Sequence, residues 1–293
     1  MKRMALVSVL AILVFSCSGQ SQYPPPAQSE RSQTIPEMPQ EVRDAHKNVI
    51  AITFKLSVTK SLAGVIFGGG SITSEAGATG FMIKPGVFIS ARHLILEDIF
   101  YLNRLGLPFV INSASGIPRS KDNSYTYSFI ATTNVDGDSK DFPVELVAMP
   151  GLGEAKDYIV FQAKNYPKNL KPLATAELKE GENIYAGGYI PYSSHVPTPI
   201  GTLIPVLADM IKEVFPGQVY EVINDMPVNK LGAKRLYRIR GSLEFGYSGG
   251  PILNARGQVG AITLETARNF IWAISIGEIE EFVKEMERKG VIK

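Results

Sequence analysis

The chain of 293 residues is 45% hydrophobic and 20% charged, enough to bury a full core, and its length admits one large β domain or two of average size. Its formal charge of +2 comes from Lys2 and Arg3; the other 28 basic side chains equal the 28 acidic ones, and no basic run appears, so nucleic-acid binding is excluded. The single cysteine, Cys17, rules out an intramolecular disulfide, so an exported form of this chain must be held by its core alone.

Residues 1–16 read as a secretory signal: basic Lys2 and Arg3, an apolar stretch from Met4 to Phe15, then small Ser16. The following run, Val14-Phe15-Ser16-Cys17, resembles a bacterial lipobox, in which the cysteine becomes the lipid-bearing mature N-terminus. An ordinary secretory signal with an incidental cysteine is the alternative, but a free thiol in an exported chain is unusual and acylation accounts for it. The expectation is a bacterial envelope protein anchored to a membrane through Cys17, on the periplasmic or outer-surface side. Residues 17–40, rich in Ser, Gln and Pro, cannot bury a core and read as a tether. As a flexible coil, that length spans roughly 27 Å on average. No second apolar run is long enough to cross a bilayer.

From residue 41 to residue 293 the composition is that of a folded domain. Runs rich in β-branched and aromatic residues predict strands at 48–56, 80–83, 87–90, 144–148, 158–162, 183–187, 219–223, 236–240, 251–253, 259–264 and 270–275. Between the second and third, Lys84-Pro85-Gly86 supplies a hairpin turn. Two segments carry helical spacing. Residues 203–215 suit a surface helix, and residues 278–288 set Ile279, Phe282, Val283 and Met286 on one face with Gly290 just beyond. Strands at this spacing, with 27 Gly and 19 Pro for the turns between them, suggest a barrel or sandwich.

Near the C-terminus stands Phe245-Gly246-Tyr247-Ser248-Gly249-Gly250-Pro251, a G-x-S-G-G-P run that presents one hydroxyl on a sharply turning backbone. A serine hydroxyl is a poor nucleophile at neutral pH and needs an adjacent base. Of the three histidines, His46, His93 and His195, only His93 follows a strand directly, in Ser90-Ala91-Arg92-His93. Asp157 opens the apolar run Asp157-Tyr158-Ile159-Val160-Phe161.

In the order His93, Asp157, Ser248, with Thr79-Gly80-Phe81-Met82-Ile83 ahead of them, these segments resemble the chymotrypsin-like serine proteases, in particular the bacterial trypsin-like and HtrA-type enzymes. The resemblance implies an all-β fold of two six-stranded antiparallel barrels with a C-terminal helix, over residues 41–293. It implies that His93 takes the proton of Ser248, that Asp157 orients His93, and that the N–H groups of Gly246 and Ser248 form an oxyanion hole. It puts Ser242 at the floor of a substrate pocket and Ile274 and Ser275 on its wall strand. With no fixed charge at those positions, a small or medium apolar side chain before the cut is expected, Glu244 being the one residue that could instead recruit Lys or Arg. Protein or peptide substrates are implied, and no cofactor. The chain departs from the family in Tyr247, in segments 112–133 and 203–215, which read as insertions, and in ending after the terminal helix, where HtrA enzymes carry a peptide-binding domain.

Two rivals remain. A non-catalytic envelope lipoprotein could use this fold to bind peptides, although it would have no reason to keep His93, Asp157 and Ser248 together. An esterase of the α/β-hydrolase kind would place its histidine last. No His, Cys or Asp cluster has zinc spacing, so no metal is expected. Asp136-Gly137 reads as a hairpin turn and Gly68-Gly69-Gly70 lacks the remainder of a phosphate loop.

Overall fold

The computed structural model describes residues 38–58, 72–104, 106–135, 138–151, 154, 156–197, 203–225, 233–243, 246–267 and 269–293. The leader, Cys17, most of the tether and the Gly68 to Gly70 run lie outside these residues, as does Glu244. A short helix, α1 (Gln40–His46), precedes β1 (Val49–Val58), β2 (Ile72–Lys84) and β3 (Val87–Ser90). Next come α2 (His93–Arg104) and a small hairpin of β4 (Phe109–Ile111) and β5 (Pro118–Ser120). The strands β6 (Tyr125–Val135), β7 (Asp138–Ala148) and β8 (Ile159–Gln162) then complete a closed barrel in the order β1-β2-β3-β8-β7-β6.

The second closed barrel is formed by β9 (Asn183–Pro197), β10 (Leu203–Asn224), β11 (Arg235–Arg240), β12 (Pro251–Asn254), β13 (Val259–Ala267) and β14 (Phe270–Ser275), in the order β10-β11-β14-β13-β12-β9. Every pairing in both barrels is antiparallel, so the expected architecture of two six-stranded barrels is present. The chain ends in α3 (Ile276–Arg288), where Ser275 accepts the Gly277 N–H at 3.2 Å as the N-cap. Ile279, Val283 and Met286 are buried on its inner face, each such burial contributing about 1.5–3 kcal/mol.

Strand alternation explains how the core divides. In β3 and β8, Phe88, Ile159 and Phe161 point into the first barrel, whereas Val87, Ile89 and Val160 join a second layer with Leu253, Ile262, Ile279 and Val283. These two strands are therefore apolar on both faces, one filling the barrel and the other facing β12, β13 and α3. The interior of the second barrel holds Ile184, Val219, Tyr237, Ile239, Ile252 and Ile271.

Two expectations need correction. Residues 203–215 are not a helix but the first part of β10, which pairs with β9 from Leu203↔Pro197 to Gln218↔Asn183. Apolar spacing over so short a window fits either element, and the long β9 partner decides for the strand, which also suits Ile204, Val206, Ile211 and Val214. Residues 112–133 are not an insertion as a whole. The β4–β5 hairpin forms a small separate sheet, while Tyr125 onward is a barrel wall that pairs with β1 as far as Ile50↔Thr133 and with β7 as far as Val135↔Asp138. The hairpin turn expected at Asp136-Gly137 lies outside the described residues.

Candidate active site

The pairing Ser90↔Ile159 sets the C-terminal end of β3 against the N-terminal end of β8. The residues that leave those ends, His93 at the start of α2 and Asp157 just before β8, therefore meet. The backbone N–H of His93 donates to Asp157 Oδ1 at 2.8 Å, and His93 Nδ1 lies 2.6 Å from Asp157 Oδ2. One carboxylate thus holds both the ring and the first turn of its helix. Burial pushes the Asp157 carboxyl up, but the His93 ring and N–H, together with the Arg92 charge, more than offset it and hold the group below its ordinary value. It stays ionised at neutral pH, the state that fixes an imidazole tautomer.

Arg92 braces this arrangement from behind. Its buried guanidinium donates to the carbonyls of Gly151 at 3.1 Å and Glu154 at 2.8 Å, in the loop that leads to Asp157. Next to Asp157, Lys156 reaches the buried Glu278 of α3 at 3.7 Å.

Ser248 comes from the second barrel, on the turn before β12. Gly246 and Gly249 have φ of +102° and +78°, which other residues rarely adopt. A Cβ on Gly249 would also lie 2.3 Å from the Ala91 nitrogen and 2.6 Å from the Thr79 oxygen, so the turn sits directly on the first barrel. Tyr247 packs over Gly188 of β9 and is buried. The carbonyls of the turn are occupied: Gly246 O takes the Thr79 hydroxyl at 2.6 Å, Tyr247 O the Gly250 N–H at 2.8 Å and Ser248 O the Thr79 N–H at 3.0 Å. Among the described residues no acceptor takes the N–H of Gly246 or of Ser248. The Ser248 hydroxyl donates to the carbonyl of Leu264 at 3.5 Å and, among the described residues, forms no hydrogen bond with His93.

That bond to Leu264 also corrects the pocket wall. The ladder between β12 and β13 continues through Gly249 N to Thr263 O at 2.8 Å and Thr263 N to Gly250 O at 2.9 Å, so residues 264–266 of β13 border the nucleophile. Ile274 and Ser275 belong to β14, on the far side of β13. Ile274 is buried in the core opposite Leu236 and Ile262, and Ser275 caps α3. The resemblance put the wall one strand too far along, because the hairpin at residues 254–258 folds β13 back beside the turn. Ser242 is exposed, and the next residue, Leu243, donates its N–H to the Thr266 hydroxyl of β13 at 3.2 Å. Sequence reading also passed over Thr79, Arg92 and Leu264. Thr79 and Arg92 stand within the recognised motifs, yet nothing in their spacing announces that they bond across 59 to 167 residues.

The family model described as the trypsin-like peptidase domain matches residues 78–262. The chain belongs to the trypsin-like peptidases. As a trypsin-like peptidase it shares its fold with the Rv3671c protease of M. tuberculosis in its inactive form, at 17% identity and a TM-score of 0.50, over 84% of this chain and 92% of that one. A similar likeness links it to the HtrA-type protease AlgW, solved with a decapeptide, at 14% identity and a TM-score of 0.54, over 85% of this chain and 66% of that one. No curated protein matches the chain.

Proposed function

We propose that this trypsin-like peptidase is a serine endopeptidase that cleaves peptide bonds through an acyl-enzyme formed on Ser248. The observation that carries the reading is the doubly bonded His93–Asp157 pair, at 2.6 and 2.8 Å, on the barrel edge against which the Ser248 turn is tied. His93 takes the Ser248 proton as the hydroxyl attacks the scissile carbonyl, then gives it to the leaving amine. Asp157 holds the imidazole in the tautomer that can accept that proton and stabilises the imidazolium. The N–H groups of Gly246 and Ser248 receive the oxyanion of each tetrahedral intermediate. The capture of a decapeptide by AlgW supports peptides as the substrate class. The lipobox-like run before Cys17 supports anchoring of the mature enzyme to a bacterial envelope membrane.

A second reading, a peptide-binding lipoprotein without turnover, draws on the 3.5 Å bond that turns the Ser248 hydroxyl toward Leu264. A fluorophosphonate probe separates the two. The full chain, purified in detergent, is expected to be labelled and to degrade casein, and Ser248→Ala is expected to lose both while keeping its thermal midpoint. Casein turnover by Ser248→Ala at the wild-type rate would sink the enzyme reading. Cys17→Ser tests the anchor separately, since it should move the protein from the membrane fraction to the soluble one.

A further inference from the structure

One residue that bonds twice to the Ser248 turn comes from the opposite barrel. Thr79, on β2, is fully buried and meets the turn with both its backbone and its side chain. Its N–H donates to Ser248 O at 3.0 Å, its hydroxyl donates to Gly246 O at 2.6 Å, and the same hydroxyl accepts the Tyr189 N–H of β9 at 2.8 Å. Its own carbonyl accepts the Ser90 hydroxyl at 2.7 Å. The direction of these bonds is not ambiguous. An amide N–H can only donate and a carbonyl can only accept, so the hydroxyl proton must point at Gly246. The side-chain methyl lies where a Cβ on Gly250 would come within 3.1 Å of it, so the turn closes over Thr79.

From this geometry we infer that Thr79 is a positioning residue for the oxyanion hole, acting through its hydroxyl; the inference rests on the reading of Ser248 as the nucleophile. The two amides offered to an oxyanion, those of Gly246 and Ser248, flank the Gly246–Tyr247 peptide. That peptide is planar, so its carbonyl direction fixes the orientation of the whole unit. The Thr79 hydroxyl holds this carbonyl and the Thr79 N–H holds the carbonyl of Ser248, so one residue sets both ends of the turn. A developing oxyanion needs two donors at about 2.7–3.1 Å at once. The held plane carries neither donor itself, but it joins the Cα atoms of Gly246 and Tyr247, so turning it re-aims the adjoining peptides that carry the Gly246 and Ser248 N–H groups and pulls the two out of convergence. Because Tyr189 N–H closes the same hydroxyl from the second barrel, the bond also locks the turn to both halves of the molecule.

The test uses the full chain in detergent and follows fluorophosphonate labelling of Ser248, which builds the same kind of oxyanion, resolving the maximal rate from the half-saturating probe concentration. Thr79→Ser keeps the hydroxyl, whereas Thr79→Ala and Thr79→Val remove it. Removing one oxyanion donor outright lowers kcat about 10²–10³-fold, so a rotated plane is expected to slow labelling about 10²-fold in the Ala and Val variants with half-saturation within about threefold. Thr79→Ser is expected to stay within about threefold of wild type. The Ser and Ala variants both lack the methyl, so their difference isolates the hydroxyl even if Thr79→Val fails to fold. Labelling of Thr79→Ala at the rate of Thr79→Ser would overturn the role, whatever their thermal midpoints. A wild-type chain that is not labelled at all would instead remove the reading of Ser248, and this inference with it.

Discussion

The two halves of the candidate site are built in different ways. On the first barrel, a short ladder between β3 and β8 brings two side chains together, and His93 and Asp157 meet at 2.6 Å. On the second, the backbone does the positioning: the carbonyls of Gly246, Tyr247 and Ser248 are all occupied, while among the described residues the Ser248 hydroxyl reaches the Leu264 carbonyl at 3.5 Å. In the proposed enzyme the base and its orienting acid are assembled in advance, whereas the proposed nucleophile sits on a turn bonded to Thr79 of the first barrel. The lesson is a division of labour, in which side-chain chemistry resides in one barrel and amide geometry in the other.

The strongest challenge to that division is Asp157→Asn. The amide can still bond to the ring but favours the wrong imidazole tautomer, so kcat for casein is expected to fall about 10⁴-fold at neutral pH. Fluorophosphonate labelling should fall in parallel. A loss below tenfold would mean that the pair at 2.6 Å is structural and that the two halves do not differ as argued.

A smaller effect contrasts compensated burial with uncompensated burial inside the same molecule. Asp157 is partly buried beside His93 and Arg92 and remains charged. His46, at the end of α1, has its Nε2 out of solvent with no hydrogen-bond partner among the described residues, and burial, then the nearby charge of Lys212, outweigh the backbone of Glu213 and push its pKa down to about 3. Lys212 is itself pushed down to about 8 by burial, with the Lys47 carbonyl at 3.0 Å as its nearest acceptor. A histidine whose folded pKa lies below its unfolded value near 6.5 contributes fully above pH 6.5, and that contribution is lost as the pH falls toward 3. Within that window the slope is at most about 1.4 kcal/mol per pH unit. Urea midpoints at pH 7 and pH 5 should therefore converge when His46→Leu is compared with wild type. An equal loss of stability in both proteins would leave His46 without a part in it.

Much of the fold was legible because strands that turn one face into a barrel core carry a plain apolar alternation. Ile50, Ile52 and Phe54 alternate along β1, and β12 and β14 begin and end within a residue of where composition placed them. The catalytic candidates were legible because each stands at a strand end or in a glycine-rich turn. What stayed hidden depends on long-range pairing. Residues 203–215 carry a spacing that fits a helix until β9 supplies fifteen residues of partner strand. The helix α2 was hidden because His93, its first residue, was read only as the end of a strand. Thr79 and Leu264 could not be found from spacing, since their contacts with the nucleophile turn arise only when the barrels close on each other and β13 folds back.

The mildest prediction tests the corrected pocket wall. Ser275 was expected on that wall, yet its hydroxyl accepts the Gly277 N–H at 3.2 Å and begins α3, with only 4% of the residue exposed. If it is a cap, Ser275→Ala should lower stability by about 1 kcal/mol, the usual worth of such a bond, because one N–H at the helix start loses its partner. The side chains of residues 264–266, and not those of β14, would then shape the substrate site, so the cleavage pattern on casein should not change. Mass spectrometry of the casein fragments reads this directly, alongside a urea midpoint for stability. New cleavage positions in Ser275→Ala with an unaltered midpoint would return Ser275 to the wall. A lower midpoint with the same fragments would fix β13 as the strand along which the substrate lies, and would place the specificity of this peptidase on the stretch that begins where the Ser248 hydroxyl meets the Leu264 carbonyl.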